Sequence, residues 1–234
     1  LPLTGKETGI DVGLKVFLVA AGGEYVDNPR HYRRAERELK KAHQRISRRQ
    51  KGSRRRSKAV QQCAKKHQTV HRQRTDFHQK TALALVRQYD VIYYEAIQPA
   101  NLSRRPAPIP DPDGNGGYLH NGARRKAGLN RSILDAGWSS FLTILAFKAV
   151  CAGKRAEAVS PAHTTQDCSN VLPEGTICGE RVKKSLSVRT HVCPRCGAIL
   201  DRDENAARNI QWAGQALRGV AGVPAAMNRE APSL

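Results

Sequence analysis

The chain has 234 residues, with forty Lys plus Arg against twenty Asp plus Glu, a formal charge of +20 and an isoelectric point near 10.3. That length accommodates one α/β core and a small appended module, and the charge selects polyanionic partners, nucleic acid above all. No apolar run approaches the ~20 residues of a spanning helix and no signal-peptide pattern opens the chain, which argues against a membrane partner; because residue 1 is Leu1 and the only methionine is Met227, a fragment or processed product is expected.

The first segment, TGIDVGLKVFLVAAGGEYV, alternates short apolar runs with glycine and predicts two or three paired strands, with Asp11 inside the first. From about 29 to 88 the pattern becomes helical and is broken at GSRRRS (52–57), which predicts a basic helical hairpin. Residues 30–74 hold eighteen Lys or Arg and only two acids, Glu36 and Glu38. Val60, Ala64, His67, Val70, Phe77, Ala84 and Leu85 are expected to form its packing stripe. So one-sided a run predicts phosphate contacts by Arg33, Arg34, Arg37, Lys40, Lys41, Arg45, Arg48, Arg49, Arg54, Arg55 and Arg56. An aromatic content of 5% makes base stacking secondary.

YDVIYYEAI (89–97) is β-branched and aromatic, a buried strand carrying Glu95. The Pro- and Gly-rich stretch at about 98–129 predicts a flexible loop, a candidate lid over the site. AGWSSFLTILAFKAVCAGK (136–154) predicts an amphipathic helix burying Trp138, Phe141, Leu142, Leu145 and Val150, and AEAVSP a further strand. Residues 1–162 are thus expected to be the first part of the core, 163–200 a cysteine module, 201–218 a last helix and 219–234 a flexible tail.

Four of the six cysteines cluster as Cys168, Cys178, Cys193 and Cys196. Without a secretory signal they read as metal ligands in a reducing compartment. Cys193-Pro-Arg-Cys196 is a tight knuckle; nine residues separate Cys168 from Cys178, which reads as a loop inserted into the first knuckle, with CGE (178–180) and CGA (196–198) as equivalent Cys-Gly turns. Four thiolates close the coordination sphere of one structural Zn2+; His163 and His191 are reserve ligands. Lys183, Lys184 and Arg189 extend the basic track onto this module.

Three acids stand out by context: Asp11, Glu95 and Asp203. Taken singly, Asp11 could cap a turn before Gly13, Glu95 could pair with a hairpin arginine, and Asp203 could be a helix N-cap. Two carboxylates in apolar strands point instead to a shared cation, because each is costly to bury alone. Magnesium suits such oxygens, and two Mg2+ clamp the attacking and leaving oxygens of a phosphodiester.

GIDVGL, YYEAI, LDAGWSSF and CPRCGAILDRDENAARNI, in that order over about 8 to 215, resemble the TnpB or OrfB proteins of bacterial insertion sequences, relatives of type V CRISPR effectors. The resemblance implies an α/β RuvC-like nuclease of RNase H fold with a mixed sheet, an inserted helical hairpin and a zinc ribbon. It implies Asp11, Glu95 and Asp203 as catalytic acids holding two Mg2+, with Asp203 preferred to Asp201 by its distance from Asn205, and Asp201 and Glu204 solvated or capping. It further implies DNA as substrate, a guide RNA in the full-length protein, and a cytoplasmic, nucleoid-associated bacterial or archaeal setting. The family's Glu-Asp-Leu is here Glu95-Ala96-Ile97, which leaves the metal-binding acid in place. A zinc knuckle so close to Asp203 is expected to fix that acid mechanically. The competing readings are a non-catalytic DNA- or RNA-binding zinc-ribbon protein and a transposase performing strand transfer.

Overall fold

The computed structural model describes residues 1–112, 117–185 and 187–219; the expected tail beyond 219 lies outside the described residues. Two compact units divide the chain: Leu1–Asn28, Thr81–Ile97 and Leu142–Leu234 form one, Pro29–Lys80 and Gln98–Phe141 the other.

The first unit is built on strands β1 (Glu7–Val12), β2 (Val16–Ala20), β3 (Tyr25–Asp27), β4 (Val91–Glu95) and β7 (Arg155–Val159). Their order is β3-β2-β1-β4-β7: β1 and β4 are parallel, as are β4 and β7, whereas β2 runs antiparallel to both β1 and β3. The middle of the sheet is covered on both faces, so Ile10, Phe17, Leu18, Ile92, Tyr93 and Val159 are all buried and the apolar runs do not alternate with polar residues. Helix α6 (Arg202–Leu217) lies against β1 and β4 through its small residues. A Cβ on Gly9 would meet the Ala207 carbonyl oxygen at 2.1 Å, and one on Gly214 would meet the Tyr93 ring at 2.0 Å. Helix and sheet therefore approach to backbone contact, which only glycine permits at these two points. The short strands β8 (Thr190–Val192) and β9 (Ile199–Asp201) form a separate antiparallel pair leading into α6.

The second unit holds α1 (His31–Ser47) and the part of α2 (Arg54–Gln88) up to Lys80, joined by a short turn, with α3 (Pro99–Leu102), the pair β5 (Ile109–Pro110) and β6 (Tyr118–Leu119), and α4 (Ala123–Ala136). Helix α1 has no side-chain cap of its own; Asp135 of α4 supplies one, accepting from the Tyr32 and Arg33 amides at 2.8 and 3.3 Å. Gly137, at φ 64°, ends α4 and lets α5 (Trp138–Cys151) begin at once. His78 is held beside that break by the Ala136 carbonyl at 3.0 Å, and its burial lowers its pKa to about 4, so it donates as a neutral imidazole.

Several sequence expectations are revised. Val60, Ala64, His67 and Ala84 face solvent; the buried face of α2 is Cys63, Val70, His78, Ala82, Leu85 and Val86. Val150 is also exposed, while Trp138, Phe141, Leu142 and Leu145 are buried. The stretch 98–129, read as a loop, contains α3, the β5–β6 pair and the start of α4. Within Ala123–Cys151, the stretch of the adjacent helices α4 and α5, an 18-residue window reaches a mean hydropathy of 1.4, enough by length and composition alone to cross a bilayer. Phe141, Leu145 and Ala149 are nevertheless buried within the protein.

Candidate active site and metal centre

Asp11 and Glu95 are brought together by strand register. Ile10 pairs with Tyr94 in the parallel β1–β4 ladder, so Asp11 and Glu95 follow side by side at the carboxyl ends of the two strands, the end of a parallel sheet at which α/β proteins bind ligands. Asp203, the second residue of α6, lies near enough for its charge to act on Asp11, although the three acids do not share the 4.8 Å mutual spacing of the clustered cysteines. Burial raises the proton affinity of the Asp11 carboxyl well above the ordinary range, and the charges of Glu95, Asp203 and Asp201 raise it further, opposed by Arg202. Burial also raises Glu95, although Thr164 Oγ1 donates to its Oε1 and acts in the other direction.

Asp203 is free to face this group because another acid caps the helix. Asp201 Oδ1 accepts from the Asp203 amide at 2.8 Å and the Glu204 amide at 3.3 Å. Glu204 is turned to Arg208 at 2.6 Å. The N-cap reading of Asp203 is thereby excluded. Arg189 reaches Asp203 at 3.7 Å, an ion pair half exposed on the arginine side.

The four clustered cysteines converge: Cys168, Cys178, Cys193 and Cys196 place their Sγ atoms within 4.8 Å of one another, with Cys168–Cys196 and Cys178–Cys193 at 3.7 Å. A tetrahedral Zn2+ with thiolates at about 2.3 Å requires sulfur–sulfur edges of about 3.8 Å, so the donor set fits that ion. Its two halves repeat one backbone pattern. Gly179 N–H donates to the Cys168 carbonyl and Gly197 N–H to that of Cys193, each at 3.0 Å; Cys168 N–H donates to Glu180 and Cys193 N–H to Ala198, each at 2.9 Å. Both glycines have positive φ, 65° and 70°, which fits the left-handed turn each half needs. The residues inserted between Cys168 and Cys178 close on themselves through the Leu172–Thr176 hydrogen bond, 2.7 Å, without spreading the thiols. His163 and His191 do not join this cluster; His191 is buried, its Nδ1 facing Lys184 Nζ.

The cysteine centre and the acids share covalent and hydrogen-bonded links. Strand β9 leads from Cys196 to Asp201, the cap of α6, and Arg202 N–H donates to Arg189 at 2.7 Å. Asn205 is fully buried: its Oδ1 accepts from Ser169 N and Oγ, both at 3.0 Å, and its Nδ2 donates to the Asp167 carbonyl at 2.8 Å. Asn209 donates to the carbonyls of Thr164 and Asp167 at 2.7 and 2.6 Å. Thr164, Asn205 and Asn209 thus hold the acids' surroundings in place. Only Asn205 carried any prior signal, as a fixed offset from Asp203.

The basic residues divide. Arg33, Arg34, Arg37, Lys40, Lys41, Arg45, Arg48, Arg49, Arg54 and Arg55 are exposed on the hairpin, as is Lys183 on the cysteine module. Arg45, Arg49, Arg55 and Lys58 line a groove of about 620 Å3 near the turn. Arg56 instead donates to the Ile46 and Arg49 carbonyls at 2.9 and 3.4 Å, closing the turn of the hairpin. Lys184 is partly buried against His191, and Arg189 is drawn to Asp203.

These features define an α/β protein with neighbouring carboxylates at the ends of two parallel strands and a four-thiolate group suited to a metal ion. Residues 1–105 match the family OrfB_IS605, "Probable transposase", and residues 138–210 match "Cas12f1-like, TNB domain". The chain is 33% identical over 219 residues to a protein of Streptomyces pristinaespiralis, and 29% identical over 210 residues to InsQ of Escherichia coli K12, each named "Putative RNA-guided DNA endonuclease". Those alignments cover 92% and 89% of this chain but 47% and 49% of the relatives, so the chain spans about half the length of the curated relatives it matches. Among solved structures, a chain of a Cas12f1–sgRNA–target DNA complex superposes with a TM-score of 0.51 at 18% identity, covering 90% of this chain and 50% of that one. A Cas12f ternary complex gives 0.54 at 20% identity, covering 87% and 38%. The chain belongs to the TnpB-like (OrfB) family.

Proposed function

We propose that this chain is the nuclease portion of an RNA-guided DNA endonuclease, with an RNase H-like (RuvC) core in which Asp11, Glu95 and Asp203 are the catalytic acids. The observation that carries this reading is the strand register that sets Asp11 of β1 beside Glu95 of β4, with the charge of Asp203 on α6 near enough to act on Asp11. Such a desolvated anionic group favours hard divalent cations, and Mg2+ when bound supplies an activated water and stabilises charge on the phosphoryl oxygens. Asp11 and Glu95, fixed side by side on β1 and β4, would hold the cation. Thr164 orients the Glu95 carboxylate by donating to its Oε1. Asp203 closes the group from the helix, positioned by the Asp201 cap. The four thiolates would hold a structural Zn2+, with no position left for water. DNA and a guide RNA are the proposed partners, supported by the names of the relatives. The exposed hairpin arginines and their groove are suited to phosphate backbone contact without base reading.

Incubating the chain with labelled single-stranded DNA and Mg2+ tests the assignment. Cleavage by the parent that disappears in Asp11→Asn, Glu95→Gln and Asp203→Asn, with DNA binding retained in all three, is expected. Equal product from parent and variants would overturn the catalytic roles. Joined rather than cut DNA would identify strand transfer.

A further inference from the structure

A second group of metal-type ligands lies in the hairpin, apart from both centres described above. His43 on α1 faces Cys63 and His67 on α2, and the three donor atoms fall within 4.8 Å of one another. Cys63 and His67 are four residues apart and so share one helix face. Cys63 is buried between the helices, whereas both imidazoles reach solvent.

The distances are those of a coordination sphere. His43 Nε2 lies 3.1 Å from His67 Nε2 and 3.7 Å from Cys63 Sγ. For tetrahedral Zn2+ with nitrogen at about 2.05 Å and sulfur at about 2.3 Å, the corresponding edges are about 3.3 and 3.6 Å. A hydrogen bond alone accounts for less. An imidazole Nε2 carries either one proton or one lone pair, yet the Nε2 of His43 confronts two partners at once. One cation at the centre satisfies all three donors. The nearby Lys66 ammonium is engaged by Glu38 at 3.5 Å.

We propose that His43, Cys63 and His67 form a second transition-metal site, taking Zn2+ or an ion of similar softness, that clips the two arms of the basic hairpin together. Two imidazoles and one thiolate suit zinc, cobalt or copper and not magnesium. The fourth position opens to solvent, where water completes the sphere.

Metal content of the full 234-residue chain, purified after Zn2+ loading and gel filtration, tests this directly. His43→Asn and His67→Asn, both at exposed positions, are each expected to carry one equivalent of zinc less than the parent, whatever the occupancy of the four-cysteine centre. Identical zinc content in parent and both variants would overturn the site. Co2+ titration of the unaltered chain gives an independent reading that needs no variant. Two equivalents should bind, one with the intense absorption of four thiolates and one with the weaker thiolate-to-cobalt absorption of a single sulfur, and saturation at one equivalent with the four-thiolate spectrum alone would equally dismiss the proposal.

Discussion

Replacing Gly9 with alanine tests whether α6 and its acid are seated on β1 as described. The added Cβ would lie 2.1 Å from the Ala207 carbonyl oxygen and 2.5 Å from the Gln211 amide nitrogen, both backbone atoms that no rotamer change can move. Ordinary contact begins at 3.4 Å, so α6 must retreat by about 1.3 Å. Overpacking of this kind costs typically ~1–3 kcal/mol, and a clash between two backbones belongs at the upper end. For a chain of this length about 3 kcal/mol lowers the melting temperature by roughly 6–12 °C. Asp203 lies one turn before Ala207 and moves with the helix, and in its proposed catalytic role a displacement near 1 Å is worth about 10²-fold in rate.

Thermal denaturation and Mg2+ titration calorimetry of Gly9→Ala should therefore show both a lower melting temperature and weaker Mg2+ binding. Gly128→Ala provides the control, because the same added methyl in the helix α4 meets nothing within 4 Å. That change should instead stabilise by about 1 kcal/mol through helix propensity. A Gly9→Ala protein melting within about 2 °C of its parent, with unchanged Mg2+ affinity, would refute the seating of α6.

The remaining predictions concern the carboxylates and the thiols. Burial and neighbouring charge raise the Asp11 pKa above the unfolded value near 3.8. Its contribution to stability is therefore present at low pH and lost as pH rises through the folded value. In Mg2+-free buffer Asp11→Asn should melt higher than the parent at neutral pH, lose that advantage in acid, and show no further gain when Mg2+ is added; a parent that is unaffected by either change would contradict the shared site. Asp201→Ala removes the α6 cap, so a loss of about 1 kcal/mol in urea unfolding is expected, with weaker Mg2+ binding because Asp203 is no longer fixed. Cys193→Ser should lower both zinc content and Mg2+ affinity, measured on the same sample; unchanged Mg2+ affinity would separate the two centres.

Asp11 and Glu95 were legible because a carboxylate inside a β-branched, apolar strand is conspicuous. The strand order and register that put them side by side are long-range facts that no local pattern encodes. At Asp203 spacing alone was ambiguous, since Asp201, Asp203 and Glu204 all precede one helix; the hydrogen bonds assign the cap to Asp201 and an arginine to Glu204. The stripe on α2 holds at Val70 and Leu85 and fails at Val60, Ala64, His67 and Ala84, because alanine and valine are tolerated on either side of a helix, whereas Cys63 and His78 are buried polarisable or polar groups that hydropathy underrates. The helix α4 was missed at its start because ARRKAGLN lacks an apolar face at its first turns, and its order comes from contacts such as Asn130 Nδ2 with the Ser103 carbonyl. The equivalence of the two cysteine turns was readable from Cys-Gly repetition, while the inward commitments of Arg56, Lys184 and Arg189 were not, because charge counts do not tell a phosphate ligand from a structural donor.

A chain with twice as many cations as acids has ample means to neutralise a buried carboxylate, and within the sheet-bearing unit it often does so. Asp90 meets the buried Lys154 at 3.0 Å, Glu7 meets Arg218 at 2.6 Å and Asp167 meets Arg181 at 2.7 Å. At the carboxyl ends of β1 and β4 the surroundings are different. Glu95 is met by a threonine hydroxyl, Asp11 is pressed by the negative charges of its neighbours, and Asp203 has a half-exposed arginine at 3.7 Å. Such an arrangement costs folding free energy in the absence of a cation, and glycine is required at Gly9 for α6 to come close enough to add the third acid. On the proposed function these carboxylates serve as ligands for positive charge, whereas Asp90, Glu7 and Asp167, each already matched by a cation, serve the framework.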